Sequence, residues 1–186
     1  KRDQAAGARV LYMEFVKKNQ RCVNITVRND GVKVVEITTI QFNGKRKIDW
    51  NGVESYLRKY VGESYIIDDT DEVIFIGTDF PDEYSHSNYN KRALGTIGKA
   101  KANASQAIPE LVKIATNITF RTNNEEKHNK NAKYGWYRCT VHFTIPITNE
   151  DRIIIGKNKY QGRMIIRCDT DGKKYLYDII DIKKET

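Results

Sequence analysis

Polar and apolar residues alternate most regularly near the end of the chain. From Tyr137 to Ile147 the odd positions are apolar or aromatic, while most even positions are Arg, Thr or His. Because successive side chains of a strand point to opposite faces, this period of two predicts a half-buried strand. Asp171-Gly172 is a strong turn signal. Three more strands are predicted at residues 152–155, 162–168 and 174–182, so the last third of the chain is expected to form an antiparallel meander.

Helical signals precede this meander. Residues 91–104 carry apolar side chains at helical spacing, and Pro109 suits the first turn of a following helix. Asp49 is a candidate N-cap for an earlier helix. The polar stretch 121–133 contains opposite charges at helical spacing, which favours a short helix there as well.

Strand and turn signals dominate the first part of the chain. Val10–Phe15 and Val23–Val27 predict strands, and Asp30-Gly31 predicts a hairpin turn before a returning strand at residues 32–42. We therefore expect two or more strands here that are separate from the meander.

These elements together predict an α+β fold. In it, helices pack on a C-terminal four-stranded antiparallel sheet, preceded by N-terminal hairpins. The expected domains are a β-rich appendage at residues 1–44 and an α+β domain at residues 45–186.

Charge is unevenly distributed along the chain. The 186 residues have a net charge of +8, yet the segment from Glu63 to Glu83 contains eight acidic residues and no Lys or Arg. The rest of the chain therefore carries a net charge of +16. Such a basic body suits contact with nucleic-acid phosphates, although it also suits a merely soluble surface. The acidic segment lacks the calcium-loop pattern, so we predict no metal site.

Several function classes are excluded by what the sequence lacks. It has no P-loop, no dinucleotide-binding glycine motif, no HExxH and no GxSxG, and we expect no cofactor. No apolar run approaches the ~20 residues that a membrane helix needs, so no membrane partner is predicted. The three cysteines form no CxxC pair. We expect Cys139 and Cys168 to be buried, unmodified thiols.

RNA cleavage by transesterification is one chemistry that needs neither a metal nor a sequence fingerprint. It requires a base for the ribose 2′-hydroxyl, an acid for the leaving oxygen, and cations around the phosphate. His, Arg, Lys and Tyr supply these groups, and they cluster in residues 127–138 and on the strands that follow. The candidate catalytic residues are His128, Arg138, Arg167 and Tyr177. The candidate substrate-binding residues are Lys130, Lys133, Tyr134, His142, Arg163 and Tyr175.

Each of these residues also has a simpler interpretation. His128 lies in a polar run and could be a solvated histidine, and His142 could be an exposed cross-strand partner. Arg138 and Arg167 could be ordinary surface charges, and the aromatic residues could be core anchors.

Three segments carry a resemblance to a known family. The strings EKHNKNAKYGWYR (residues 126–138), KAKANASQAIPELVKIATN (99–117) and IIRCDTDGKKYLYDIIDIKKET (165–186) resemble a C-terminal module of phage head-morphogenesis proteins and of large polyvalent proteins from mobile elements of Firmicutes. That module is similar to the barnase–EndoU–colicin–RelE group of nuclease-like folds. The resemblance covers residues 45–186. The chain departs from the family pattern at Cys168, where a histidine is expected, and at His142, where an arginine is expected.

The resemblance implies helices packed on a four-stranded antiparallel sheet and a metal-independent ribonuclease used as a toxin. It implies that the domain acts on RNA in the cytoplasm, delivered within a larger phage or secreted chain, and that an immunity protein is its partner. The alternative is a non-catalytic phage or mobile-element module that binds nucleic acid or a protein.

Overall fold

One curled, mixed sheet of eight strands is the main feature of the fold. The structure is a computed structural model that describes residues 22–44, 47–122 and 134–186. Its strands are β1 (Val23–Val27), β2 (Lys33–Ile37), β3 (Ser64–Ile66), β4 (Val73–Phe75), β5 (Thr116–Arg121), β6 (Gly135–Thr148), β7 (Ile154–Cys168) and β8 (Lys174–Glu185). The α-helices are α1 (Trp50–Leu57), α2 (Phe80–His86), α3 (Gly95–Ala104) and α4 (Ile108–Lys113). The predicted strand at residues 10–15 and the predicted helix within 121–133 lie largely outside the described residues.

The three longest strands form the centre of the sheet. The strand order is β1-β2-β6-β7-β8-β4-β3, and β5 also pairs with β6. β6, β7 and β8 follow one another antiparallel, as the alternation from Tyr137 to Ile147 and the turn at Asp171-Gly172 predict. β2 joins β6 and β4 joins β8 in parallel, which makes the sheet mixed.

The predicted fold class is wrong. The sheet has eight strands rather than four, and it incorporates β1 and β2, which the sequence analysis set apart from the meander. The helices are short, with ten residues or fewer each, so the fold is strand-rich. The cause lies in pairings such as Val35 with Phe143 and Ile74 with Lys174, which join residues about a hundred positions apart and leave no local signal. The predicted domain boundary at residue 44 stays a prediction.

β7 also differs from its prediction. The sequence analysis predicted separate strands at residues 152–155 and 162–168. In the structure β7 is continuous, since β6 pairs with it from Gly156 through Cys168. Pairing with a long neighbouring strand thus overrides weak local strand propensity.

The helices bury apolar side chains together with one face of the sheet. Asp49 caps α1 by accepting a hydrogen bond from the Gly52 amide at 2.9 Å, and Pro109 lies in the first turn of α4, as predicted. The core combines helical and strand residues, namely Val53, Leu57, Phe80, Tyr84, Leu111, Val112, Val141, Phe143, Met164 and Ile166. In the part of the chain that the structure describes, no helix is long and apolar enough to cross a membrane.

An ion pair is enclosed within this core. Lys101 of α3 places its Nζ 2.6 Å from Oδ1 of Asp178 on β8, and both side chains are almost completely buried. The ammonium also lies 4.7 Å from the Tyr84 ring centre and 5.1 Å from that of Tyr89. The Ile179 amide donates to Asp178 at 2.7 Å. Charge pairing and hydrogen bonding thus compensate two groups that would be costly to bury alone.

The cysteines match their prediction only in part. Cys139 is 2% exposed, and burial raises the pKa of its thiol to about 12. Cys168 is free like Cys139, but it is half-buried because it ends β7 beside a loop. The expectation that both thiols are buried is therefore wrong for Cys168.

This difference predicts selective alkylation. At pH 8, iodoacetamide should label Cys168 in the folded protein well before Cys139, because Cys139 is enclosed and its thiolate is strongly disfavoured. Mass spectrometry of timed digests measures both rates, and unfolded protein, in which both thiols react, is the control. Equal labelling rates in the folded protein would contradict the burial of Cys139.

Candidate functional site

Strand register places four arginines on one face of the sheet. Arg121 of β5 and Arg167 of β7 both lie directly opposite Trp136 of β6. Arg138 is two residues after Trp136, and Arg163 lies opposite Thr140, two residues further along. Since opposed residues and alternate residues share a face, all these side chains are on one side of the sheet, away from Cys139 and Val141. We call the surface formed by Arg121, Trp136, Arg138, Arg163 and Arg167 the arginine face.

Arg138 is a partly buried charge that lies among like charges on this face. Burial lowers the pKa of its guanidinium, and the positive charges of Arg121 and Arg163 lower it further, while Asp181 acts in the opposite direction. Its Nε is buried without a hydrogen-bond partner among the described residues. A half-buried cation among like charges, with an unused donor, is a position where an anion is stabilised.

Arg167 has a different environment. It is 8% exposed and its guanidinium contacts the carboxylate of Asp79, at the start of α2, with Asp169 at 3.7 Å. Its guanidinium carbon lies 5.2 Å from the centre of the Tyr175 ring. Two carboxylates and an aromatic ring therefore already hold Arg167, although its Nε, like that of Arg138, is buried without a hydrogen-bond partner among the described residues.

Two tyrosines flank Arg167. Tyr177 meets Trp136 edge to face with ring centres 5.0 Å apart. Burial and a hydrogen bond to Glu83 raise the pKa of Tyr177, so its phenol stays protonated at neutral pH and acts as a donor. Tyr175 donates to Asp171 at 2.9 Å and lies against Phe75. Trp136 and Tyr177 thus form an aromatic pair beside the arginines.

The other predicted residues are dispersed. His142 is four residues along β6 from Arg138, about 13 Å away in an extended strand, and its Nδ1 lies 3.3 Å from Glu185. Arg163 donates to Asp181 at 2.6 Å, and exposed Tyr134 immediately precedes β6. His128, Lys130 and Lys133 lie outside the described residues. The structure thus places Arg138, Arg167, Tyr175 and Tyr177 at neighbouring positions. Arg163 lies opposite Thr140, midway between Arg138 and His142 on the same face.

Sequence reasoning missed Arg121 and the acidic residues around Arg167. Arg121 was placed at the start of a polar helix, whereas it ends β5. The preceding residues, with Ile118 and Phe120 alternating with threonine and asparagine, carried a usable strand signal. Asp79 and Glu83 belong to a helix that lies far from β7 and β8 in sequence, and no local pattern indicated their positions.

No protein-family model, curated protein or solved structure matches this chain. The resemblance to the phage and mobile-element module therefore stays a prediction, and the site must be judged on its own chemistry.

A second group of polar side chains is formed by α1 and α2. Within the described ranges, Glu54, Asp82 and His86 are a set of potential metal ligands whose donor atoms converge. The sequence analysis gave His86 no role, because Glu54, its neighbour in the fold, comes from a different helix.

Proposed function

We propose that the protein binds RNA on the arginine face and cleaves it there without a metal ion. The observation that carries the proposal is the environment of Arg138. Its guanidinium is partly desolvated, lies near two other arginines and keeps an unused donor, and a phosphate oxygen would relieve all three costs. The net charge of the chain, +8, supports attraction of a polyanion to this surface.

Aromatic residues support RNA rather than a small anion. Trp136 and Tyr177 lie next to the arginines on the same sheet, and base stacking on aromatic rings is a general contribution to single-strand binding. Arg138 and Arg163 would hold phosphate oxygens while a base packs near Trp136.

Cleavage would follow the transesterification that the sequence resemblance implies. A base removes the 2′-hydroxyl proton, the 2′-oxygen attacks phosphorus, and the 5′-oxygen leaves with a proton, which gives a 2′,3′-cyclic phosphate and a 5′-hydroxyl. Arg138 would stabilise the charge on the phosphoryl oxygens, and Tyr177 would donate to them once its single O–H is released from Glu83. His128 stays our candidate for proton transfer. Arg167, whose guanidinium is paired with Asp79, would act as a positioning residue that orients the Tyr175 ring.

RNA binding without cleavage is the second candidate function. It is favoured by the carboxylates of Asp79, Asp169 and Glu83, which compensate Arg167 and engage Tyr177. Under either proposal the partner is RNA, and a toxin of this type would need an immunity protein that covers the arginine face.

One experiment separates these functions. Labelled single-stranded RNA is incubated with purified protein in excess EDTA, and both bound fraction and cleaved products are measured. Arg138→Gln should weaken binding and lower the cleavage rate by about 100-fold, because a cation at the phosphate is lost. Arg152→Gln, which removes an exposed charge from the β6–β7 loop, is the matched control and should change both by little.

His128→Ala should abolish cleavage and leave binding intact. RNA with a 2′-deoxy substitution at the cleaved position should bind and remain uncut. Salt-sensitive binding with no cleavage of any RNA would favour the second candidate. Equal effects of the Arg138 and Arg152 substitutions would overturn the arginine face as the site.

A further inference from the structure

Two helices on one side of the core bring three potential metal ligands together. Glu54 lies in the middle of α1, and Asp82 and His86 are four residues apart on α2, so both project from the same face of that helix. Val53 and Leu57 of α1 and Phe80 and Tyr84 of α2 belong to the same buried core. The ligand-bearing faces of the two helices are therefore held in a fixed relation by packing.

The donor atoms are spaced for a shared ion. One ligand atom from each of Glu54, Asp82 and His86 lies within 4.8 Å of the others. The His86 Nε2 is 3.0 Å from Glu54 Oε2. Metal–ligand bonds of about 2.0–2.2 Å place the ligands of a tetrahedral ion roughly 3–4 Å apart, so rotamer adjustments would suffice to close the site.

We propose that Glu54, Asp82 and His86 bind a divalent transition-metal ion, with zinc preferred. One imidazole and two carboxylates are ligands that zinc accepts, whereas magnesium and calcium prefer oxygen-only sites. Three protein ligands leave one position of a tetrahedral ion for water. The site uses different residues from the arginine face, and the proposed cleavage needs no metal.

The surrounding charges also favour a cation. Asp82 belongs to the acidic segment from Glu63 to Glu83, which has no Lys or Arg. The described cation next to the cluster is Arg58, which pairs with Glu54 across one helical turn and is 63% exposed. Because Arg58 competes with a metal for the Glu54 carboxylate, the proposal predicts that removing Arg58 tightens metal binding.

Calorimetric titration of the EDTA-treated, dialysed chain with zinc chloride tests the site. We expect about one equivalent of zinc to bind and to raise the thermal unfolding midpoint, since the ion would link α1 to α2. His86→Gln and Asp82→Asn should each weaken zinc affinity by about tenfold or more. His142→Gln is the matched control, because His142 also lies beside a carboxylate but belongs to no converging set of ligands among the described residues.

Arg58→Gln gives the sharpest outcome. It should increase zinc affinity, which a purely structural ion pair between Arg58 and Glu54 does not predict. The proposal is overturned if zinc produces neither heat nor a shift of the unfolding midpoint in the unmodified chain. It is equally overturned if zinc binding survives both the His86 and the Asp82 substitutions, which would place the ion elsewhere.

Discussion

Replacing Lys101 with methionine is expected to lower the free energy of unfolding by about 3–5 kcal/mol near neutral pH, because it leaves Asp178 as an unpaired buried charge. The two groups are 2.6 Å apart and almost fully enclosed. Methionine retains much of the volume of the lysine stem, so lost packing contributes little to this effect.

The cost of this substitution should depend on pH. Burial raises the pKa of Asp178 from 3.8 to about 6, and the charge of Lys101 opposes that rise. The folded state therefore holds this proton more tightly than the unfolded state, and the carboxyl's contribution to stability falls as pH rises from about 4 through 6. Without Lys101 the folded pKa moves higher still. The destabilisation by Lys101→Met should thus be small at pH 5, where Asp178 is protonated, and large at pH 8.

Urea unfolding at the two pH values measures this difference. Lys99→Met, two residues earlier on α3 and partly exposed, is the matched control and should change stability by about 0.5 kcal/mol or less. The same destabilisation by Lys101→Met at pH 5 and pH 8 would show that Asp178 does not carry a buried charge.

Gly135→Ala is the second substitution for which a large loss of stability is expected. Gly135 begins β6 with φ of +114°, where a side chain costs about 1–3 kcal/mol in backbone strain. A Cβ at this position would also lie 2.4 Å from the Arg121 carbonyl oxygen and 2.8 Å from the Phe120 ring. Because the Arg121 carbonyl oxygen is a backbone atom, β5 as a whole would have to shift relative to β6 to relieve the contact. This shift would also displace Arg121 from the arginine face.

Gly172→Ala separates strain from steric conflict. Gly172 has φ of +77° and open space around its Cα, so only the dihedral cost of about 1–2 kcal/mol applies. Thermal unfolding of both variants should show Gly135→Ala to be clearly the less stable. Equal midpoints would mean that β5 does not approach β6 at Gly135 as described.

Local patterns predicted the elements whose partners are near in sequence. The alternation through Val141 identified β6, and the turn at Asp171-Gly172 identified the β7–β8 hairpin. The parallel pairings of β2 with β6 and of β4 with β8 could not be predicted in this way. Parallel neighbours are joined by long connections, and their choice depends on packing of the whole sheet.

The site was predictable to a similar extent. The alternating pattern alone predicted that Arg138 and Cys139 point to opposite faces of the sheet. It also predicted that Arg163 and Arg167 share one face of β7. The acidic surroundings of Arg167 could not be predicted, because its partner Asp79 lies 88 residues away in sequence, at the start of a helix. Residues that change the chemistry of a site can therefore come from any part of the chain.

The order of the strands has a consequence for synthesis on the ribosome. β3 and β4 are made early, but among the described strands they join the sheet only through β8. Until β8 leaves the ribosomal exit tunnel, the hairpin of β3 and β4 has no strand to dock on, and one edge of β7 stays open. The sheet should thus close after translation of β8, and a nascent chain stalled before Lys174 should remain protease-sensitive and exposed to chaperones.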